Sequence, residues 1–314
     1  MTIWRSFEEV PSSLTASAVT IGNFDGVHHG HRAVSARARS AADELGVPLV
    51  AVTFDPHPMA VLRPEHAPSM LTSIEQRAEL LGDLGIDDVF VLPFDLSVAT
   101  WSPQEFVDRV LVAALSARSV VVGANFRFGN RAAGDVAFLR EAGRVAGFVA
   151  EGVELDGGPQ VWSSTYIRTC LAAGDVAGAA EALGRPVVLR GPVVRGDQRG
   201  RELGYPTANV ITDTLTAAPA DGVYAGRLRR LDTDESYPAA ISVGTNPTFE
   251  GVRDRRVESY AIDRTGLELY GVEVEVEFVE RLRGMVTFAG ADALSALIAQ
   301  MAADVERARE ILGV

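Results

Sequence analysis

From Ala18 to Leu183 the chain alternates unbroken apolar runs with stretches whose apolar residues recur at helical spacing. The runs are Ala18–Ile21, Leu49–Phe54, Asp88–Leu92, Ser119–Val122 and Phe148–Val153; continuous apolar character marks strands covered on both faces, as in a parallel sheet. Between the first two, Val34, Ala38, Ala41 and Leu45 share one face of a helix that Gly46 and Pro48 stop. Thr72 with Glu75, and Ser102 with Glu105, are spaced for capping boxes. They open helices reaching about Leu84 and Leu115, the second with Pro103 at its first position. Gly134–Gly147, Ser163 to near Leu171, and Asp175–Leu183 supply the remaining helices. Strand and helix alternate five times, which predicts a doubly wound parallel sheet.

After Gly184-Arg185-Pro186 the grammar changes. Val187–Leu189, Val193–Val194, Asn209–Ile211, Gly222–Leu228, Ala239–Val243, Arg256–Ile262 and Val272–Val279 are short β-like runs between turns, and only Ala291–Leu312 is helical. Val272–Phe278 alternates with period two, so Glu273, Glu275 and Glu277 are expected on a solvated face rather than in a metal cluster. The second part is therefore expected to be an antiparallel sheet or small barrel with a C-terminal helix. The boundary falls near residue 185, giving domains 1–185 and 186–314.

Composition narrows the chemistry. A net charge of −13 argues against non-specific binding to nucleic acid or an anionic membrane. No apolar run approaches the roughly 20 residues of a membrane span, and Met1–Val10 has neither the basic start nor the apolar core of a signal peptide. The lone Cys170 excludes an internal disulfide and fits a reducing cytoplasm, where it reads as a small buried side chain. All 29 basic residues are arginine. Without lysine there is no Walker A loop, no lysyl-adenylate and no Schiff base. Anionic ligands must then be held by arginines, helix ends and metal. Self-association into a homo-oligomer stays open.

Candidate chemistry gathers where the strands end. Gly22–His31, GNFDGVHHGH, lies between the first strand and the first helix, the edge at which open α/β sheets bind ligands. Backbone N–H groups and the helix dipole favour phosphate there. His28 and His31, three apart, add two donors on one side of the first turn, and Gly22, Gly26 and Gly30 admit close backbone approach. Asp55-Pro56-His57-Pro58 forms a stiff loop at the same edge. In Gly123–Arg131, GANFRFGNR, Arg127 and Arg131 suit phosphate, while Phe126 and Phe128 suit either a planar ring or the core. Ser164, Thr165 and Arg168 span one first helical turn, as ordinary caps or as phosphate ligands. In Gly191–Asn209, Gly196, Gly200 and Gly204 recur every four residues, allowing a loop to wrap phosphates, with arginines from Arg195 to Arg201 among them. Thr207 and Asn209 project to one side of an extended chain, two oxygens suited to Mg²⁺ while ATP supplies the rest.

These motifs resemble those of the bacterial bifunctional riboflavin kinase/FAD synthetase family. GNFDGVHHGH is similar to the signature of its HxGH nucleotidyltransferase half, as are TFDPHP, GANFRFG and SSTYIR in the same order. GPVVRGDQRGRELGYPTAN, DGVYAG, ISVGTNPTFEG, VESYAID and RLRGMVTF resemble its kinase half. The resemblance covers nearly the whole chain. The departures are His29, where an apolar residue is common, and Val187, where an aromatic often sits.

The resemblance implies a Rossmann-like FMN adenylyltransferase domain at 1–185 and a β-barrel riboflavin kinase domain at 186–314. It implies a cytoplasmic transferase that phosphorylates riboflavin with ATP and Mg²⁺, then joins AMP from a second ATP to FMN, giving FAD and pyrophosphate. Gly22, Asn23, Phe24, Asp25, Gly26, His28, His31, Ser164, Thr165 and Arg168 would bind ATP in the first site, with His28, His31 and Arg168 catalytic. Phe54, Pro56, Pro58, Asn125 and Phe128 would face the flavin. In the kinase site Gly191, Gly196, Gly200, Pro206, Thr207 and Asn209 would bind ATP, Thr207 and Asn209 would hold the metal, Glu258 would be the general base, and Arg283 and Met285 would cover the flavin. Two rivals are a transferase that adenylylates another phosphate ester, such as a pantetheine or nicotinamide nucleotide, and a flavin- and nucleotide-binding regulator without catalysis. The downstream kinase motifs speak against the first. Retention of Glu258, Thr207 and Asn209 speaks against the second.

Overall fold

The structure is a computed structural model and describes residues 1–154, 162–196, 200, 203–212, 215–245, 255–264, 266–289 and 291–314. It divides into two compact units, Met1–Ser164 and Thr165–Val314. Arg199, Arg201 and the 246–251 part of the kinase-like motifs lie outside the described residues.

In the first unit six strands pair in parallel: β1 (Thr2–Trp4), β2 (Ser17–Ile21), β3 (Leu49–Asp55), β4 (Asp88–Pro93), β5 (Ala117–Gly123) and β6 (Val149–Val153). Their spatial order is β1-β4-β3-β2-β5-β6. The helices are α1 (His29–Leu45), α2 (Pro58–Leu62), α3 (Ile74–Gly82), α4 (Leu96–Ala99), α5 (Pro103–Phe106, continued as a π-helix over Val107–Ala114) and α6 (Val136–Ala146). Val19 and Ile21 pack with residues of α5 and α6 on one face, and Ala18 with residues of α1 and α3 on the other. Both faces are dry, so the central strands show no polar alternation.

The doubly wound expectation holds, with local differences. The buried face of α1 is Val34, Ser35, Ala38, Ala41 and Ala42, while Leu45 in the last turn is half exposed. The box at the start of α3 is built by Ser73 and Gln76, not Thr72 and Glu75. Thr72 is one residue too early to cap, and its hydroxyl is engaged elsewhere. The edge strand β1 carries no pattern of its own; it is three residues long and exists through its pairing with β4.

The second unit opens inside α7 (Ser164–Ala173), at Thr165, and continues with α8 (Val176–Leu183), both of which the sequence pattern assigns ahead of residue 185. A closed barrel follows, made of β7 (Val187–Val194), β8 (Ala208–Val210), β9 (Gly222–Arg230), β10 (Ser236–Thr245), β11 (Arg255–Ala261) and β12 (Glu273–Arg283) in the order β10-β11-β8-β7-β12-β9, and then α9 (Ala293–Leu312). Two expected runs are one strand, since Gly191 and Pro192 lie inside β7. A Cβ at Gly191 would stand 1.9 Å from the Ile211 carbonyl oxygen, so the barrel wall closes only over glycine there. Gly191→Ala is expected to lower the stability of the barrel by about 1–3 kcal/mol or more, read as a lower denaturation midpoint. The solvated face expected of β12 is also not uniform. Glu275 is buried, with Arg190 Nη2 at 2.7 Å on one side and the Arg229 guanidinium on the other, because the outer wall brings the two arginines together across β7, β12 and β9.

Candidate functional site

In the first unit β2 lies between β3 and β5, and the chain leaves β2 toward β3 and β4 before returning to β5. The carboxyl end of β2 is thus the point where strand order reverses, the usual ligand crevice of such sheets. Gly22–His28 turns there into α1. Phe24 and Val27 have positive φ, 48° and 41°, and both are buried in the core under the turn. That burial offsets a backbone conformation that L side chains disfavour. Phe24 is therefore an anchor of the loop, with its ring edge-on to His31 at 5.3 Å. Gly22 sits close over it, since a Cβ would be 3.3 Å from the ring.

Asp25 is also buried. Its carboxylate accepts from Leu71 N (2.9 Å), Thr72 N (3.1 Å) and Thr72 Oγ1 (3.2 Å), and Arg77 lies 3.6 Å away. Gly26 N donates to Thr72 Oγ1 at 3.2 Å, and Ser164 Oγ donates to the Asp25 carbonyl at 2.9 Å. In this motif Phe24 and Asp25 build the loop from below. The backbone of Asn23 is held by Thr53 Oγ1 (3.0 Å), and its exposed amide stands 3.1 Å from His57 Nε2.

His28 is the N-cap of α1, with Nδ1 accepting from Gly30 N at 3.1 Å. A neutral ring whose Nδ1 accepts carries its proton on Nε2, so the cap fixes His28 as an Nε2–H donor. His28 and His31 stack, ring centroids 3.7 Å apart and planes at 22°. Burial holds His31 well below the usual imidazole range, and the neighbouring His28 and Arg77 push the same way. Two neutral rings can stack at this distance; two imidazoliums would repel. His29 is exposed and turns toward Trp162.

His57 was not singled out from the sequence. It caps α2, with Nδ1 accepting from Met59 N at 3.1 Å, and its Nε2 stands 3.1 Å from Asn23 Nδ2. Pro58 opens α2, Pro56 precedes the cap, and Phe54 at the end of β3 is partly buried, edge-on to Phe94. Asn125 is exposed at the tip beyond β5. Phe128 belongs to the core, wedged against Phe106 and closed over by Gly134, while Phe126 stacks on it at 5.5 Å and keeps a partly open face. Thr165 and Arg168 follow Ser164 on α7, within the second unit.

The barrel builds the other cluster by register. Glu258 on β11 pairs with Asn209 on β8, and residues facing across a ladder share a side of the sheet. Thr207, two residues before Asn209, comes to the same side, and its Oγ1 donates to Glu258 Oε2 at 3.3 Å. Gly196 comes so near the Asn209 amide that a Cβ would be 2.4 Å from its nitrogen. Gly196, Pro206, Thr207 and Asn209 line a cavity of about 290 Å³ together with Ser259 and Tyr270. Gly200 accepts at its carbonyl from Leu203 N and Tyr205 N, forming the turn ahead of this cluster. Gly191 is in the barrel wall. Arg283 is held bidentately by buried Asp304 of α9, which also receives Gln300, and Met285 beyond it is exposed. Among the described residues no group of three or more His, Cys, Asp or Glu is placed to hold a metal ion.

The FAD synthetase family model matches residues 10–165 and the riboflavin kinase model residues 183–312. Bifunctional riboflavin kinase/FMN adenylyltransferase of Pseudomonas fluorescens is 39% identical over 99% of this chain and 98% of its own. The protein of the same description from Escherichia coli K12 is 35% identical over 94% and 93%. A solved structure described as a macrolide-efflux protein from Streptococcus pneumoniae superposes with a TM-score of 0.86 at 31% identity, covering 98% of each chain. No helix among the described residues is long and apolar enough to cross a membrane.

Proposed function

The chain belongs to the bifunctional riboflavin kinase/FMN adenylyltransferase family, and from that premise we propose which of its residues carry each step. It is a bifunctional transferase of FAD biosynthesis: it phosphorylates riboflavin to FMN with ATP, then transfers an adenylyl group from ATP to FMN. We assign adenylyl transfer to 1–185 and phosphorylation to 186–314, and place the enzyme in the cytoplasm.

For adenylyl transfer the FMN phosphate attacks the α-phosphorus of ATP and pyrophosphate leaves, with no covalent enzyme intermediate. The observation that carries this reading is the capped, stacked histidine pair at the N-terminus of α1. His28 offers its Nε2–H to the polyphosphate, His31 lies beside it, and the backbone N–H groups of the first turn add to them, so charge is neutralised by groups already in place. Asn23 and the Pro56–Pro58 loop flank the site, and Phe54, Asn125 and the open face of Phe126 offer surfaces for the flavin, with Phe128 backing Phe126 from the core. Ser164 borders the loop through Asp25; Thr165 and Arg168 are assigned on the SSTYIR motif alone.

For phosphorylation Glu258 takes the proton of the ribityl 5′-hydroxyl as that oxygen attacks the γ-phosphorus and ADP leaves. Thr207 and Asn209 present neutral oxygens beside that carboxylate. Such hard donors fit Mg²⁺ arriving with ATP, where it would offset phosphate charge. Arg283, fixed by Asp304, positions the segment that carries Met285 toward the flavin.

A chromatographic time course with riboflavin, ATP and Mg²⁺ tests the whole reading. FMN should appear first and FAD after it. FMN without FAD would sink the assignment of the first site.

A further inference from the structure

Resting on that reading of the first site, we propose that Arg77 of α3 is a positioning residue for adenylyl transfer, its guanidinium locking Gly22–His31 to β3 and to the Leu71–Thr72 segment so that His28 and His31 meet the polyphosphate in register. Arg77 is 2% exposed, and an arginine this deeply buried is rare unless it is paired. Its Nη1 donates to Thr53 Oγ1 at 2.9 Å, and Thr53 Oγ1 passes the bond on to the Asn23 carbonyl at 3.0 Å. Its Nη2 donates to the Thr72 carbonyl at 3.4 Å and lies 3.6 Å from Asp25 Oδ1. Three segments thus converge on one cation: the Thr72 turn that leads into its own helix, and two distant in sequence, Thr53 of β3 and the Asn23–Asp25 loop. Packing α3 alone asks for nothing of the kind: Ala78 and Leu81 already bury its apolar face. A buried cation is costly to desolvate, so its retention goes with the order it imposes on the loop above.

Arg77 also acts on His31 as a charge. The titratable and charged groups around that imidazole are His28 on its own helical turn, Arg77 from α3 and, behind Arg77, the Asp25 carboxylate of the loop. Burial first, and then like-charge repulsion from His28 and Arg77, disfavours the imidazolium, so His31 enters the reaction neutral.

Arg77→Gln separates the two effects when set beside Arg77→Lys and Thr53→Val. Arg77→Gln should lower kcat for FAD formation on the order of 10²-fold through misalignment, with a smaller change in the KM for ATP and riboflavin phosphorylation unchanged. The acid limb of its kcat/KM profile should move modestly to higher pH, because burial and His28 still hold His31 low and only the Arg77 charge is removed. Arg77→Lys keeps the charge without the fork: the limb should return to the wild-type position while kcat stays low. Thr53→Val cuts the link to Asn23 and leaves the cation in place, so kcat should fall about tenfold with the limb unmoved. Far-UV circular dichroism reports folding, and Thr53→Val decides the case if Arg77→Gln does not fold. Folded variants with wild-type kcat and an unshifted limb, changed only in melting temperature, would overturn the proposal. Wild-type protein that makes no FAD would instead overturn the functional reading beneath it.

Discussion

The double replacement His28→Ala with His31→Ala should remove FAD synthesis and leave riboflavin phosphorylation at its wild-type rate. The expected loss is large because both rings are assigned to charge that develops during transfer, in a chain with no lysine to substitute for them. Removing one preorganised donor of this kind typically costs about 10²–10³-fold, so the pair should cost at least about 10³-fold. The measurement is FAD formed from supplied FMN and ATP, with FMN formed from riboflavin as the internal control. His28→Ala alone also deletes the cap of α1, and caps are worth about 1 kcal/mol. A melting curve on the single variants distinguishes that loss from the chemical one. If the double variant is folded and still makes FAD at more than a tenth or so of the wild-type rate, the histidines do not carry the step.

The reciprocal variant is Glu258→Gln. It keeps the shape of the side chain and its contact with Thr207 but cannot take a proton. Loss of a general base costs about 10²–10⁴-fold, so FMN production from riboflavin should all but stop. FAD production from supplied FMN should continue unchanged, since that chemistry is assigned to residues 1–185. Loss of both activities in a folded Glu258→Gln protein would break the two-site assignment. A retained kinase rate would move the base elsewhere, and the register of β11 against β8 and β10 gives the residues to test next.

Much of this arrangement is legible in the chain because its signals are local. Unbroken runs such as LVAVTF report a strand dry on both faces, and Gly46 reports the end of α1 through its left-handed φ of 65°. The histidines could be placed at a helix start for the same reason. What escaped the sequence is contact between segments far apart. Asp25 reads as a ligand residue within GNFDG, yet its carboxylate is spent on Leu71 and Thr72, more than forty residues on. Thr72 reads as a cap and is instead the partner of that carboxylate. Glu275 reads as one of three solvated glutamates until β7 and β9 bring Arg190 and Arg229 to it. Arg77 gives no signal at all, since one arginine among 29 is unremarked until its burial is seen. Phe126 and Phe128 were two candidates for one core position, and only the closure of Gly134 over Phe128 decides between them.

The barrel's strand order also has a consequence for the growing polypeptide. β12 is the piece that pairs with both β7 and β9, and it is the last strand to be made. While the ribosome is still translating the stretch before it, the nascent barrel is an open sheet with two bare edges, the form most prone to pair with another chain. The six parallel strands of the first unit have by then all emerged. A chain cut short between β11 and β12 would therefore carry all six parallel strands of the first unit joined to an unclosed sheet whose β7 and β9 edges stay open to pairing.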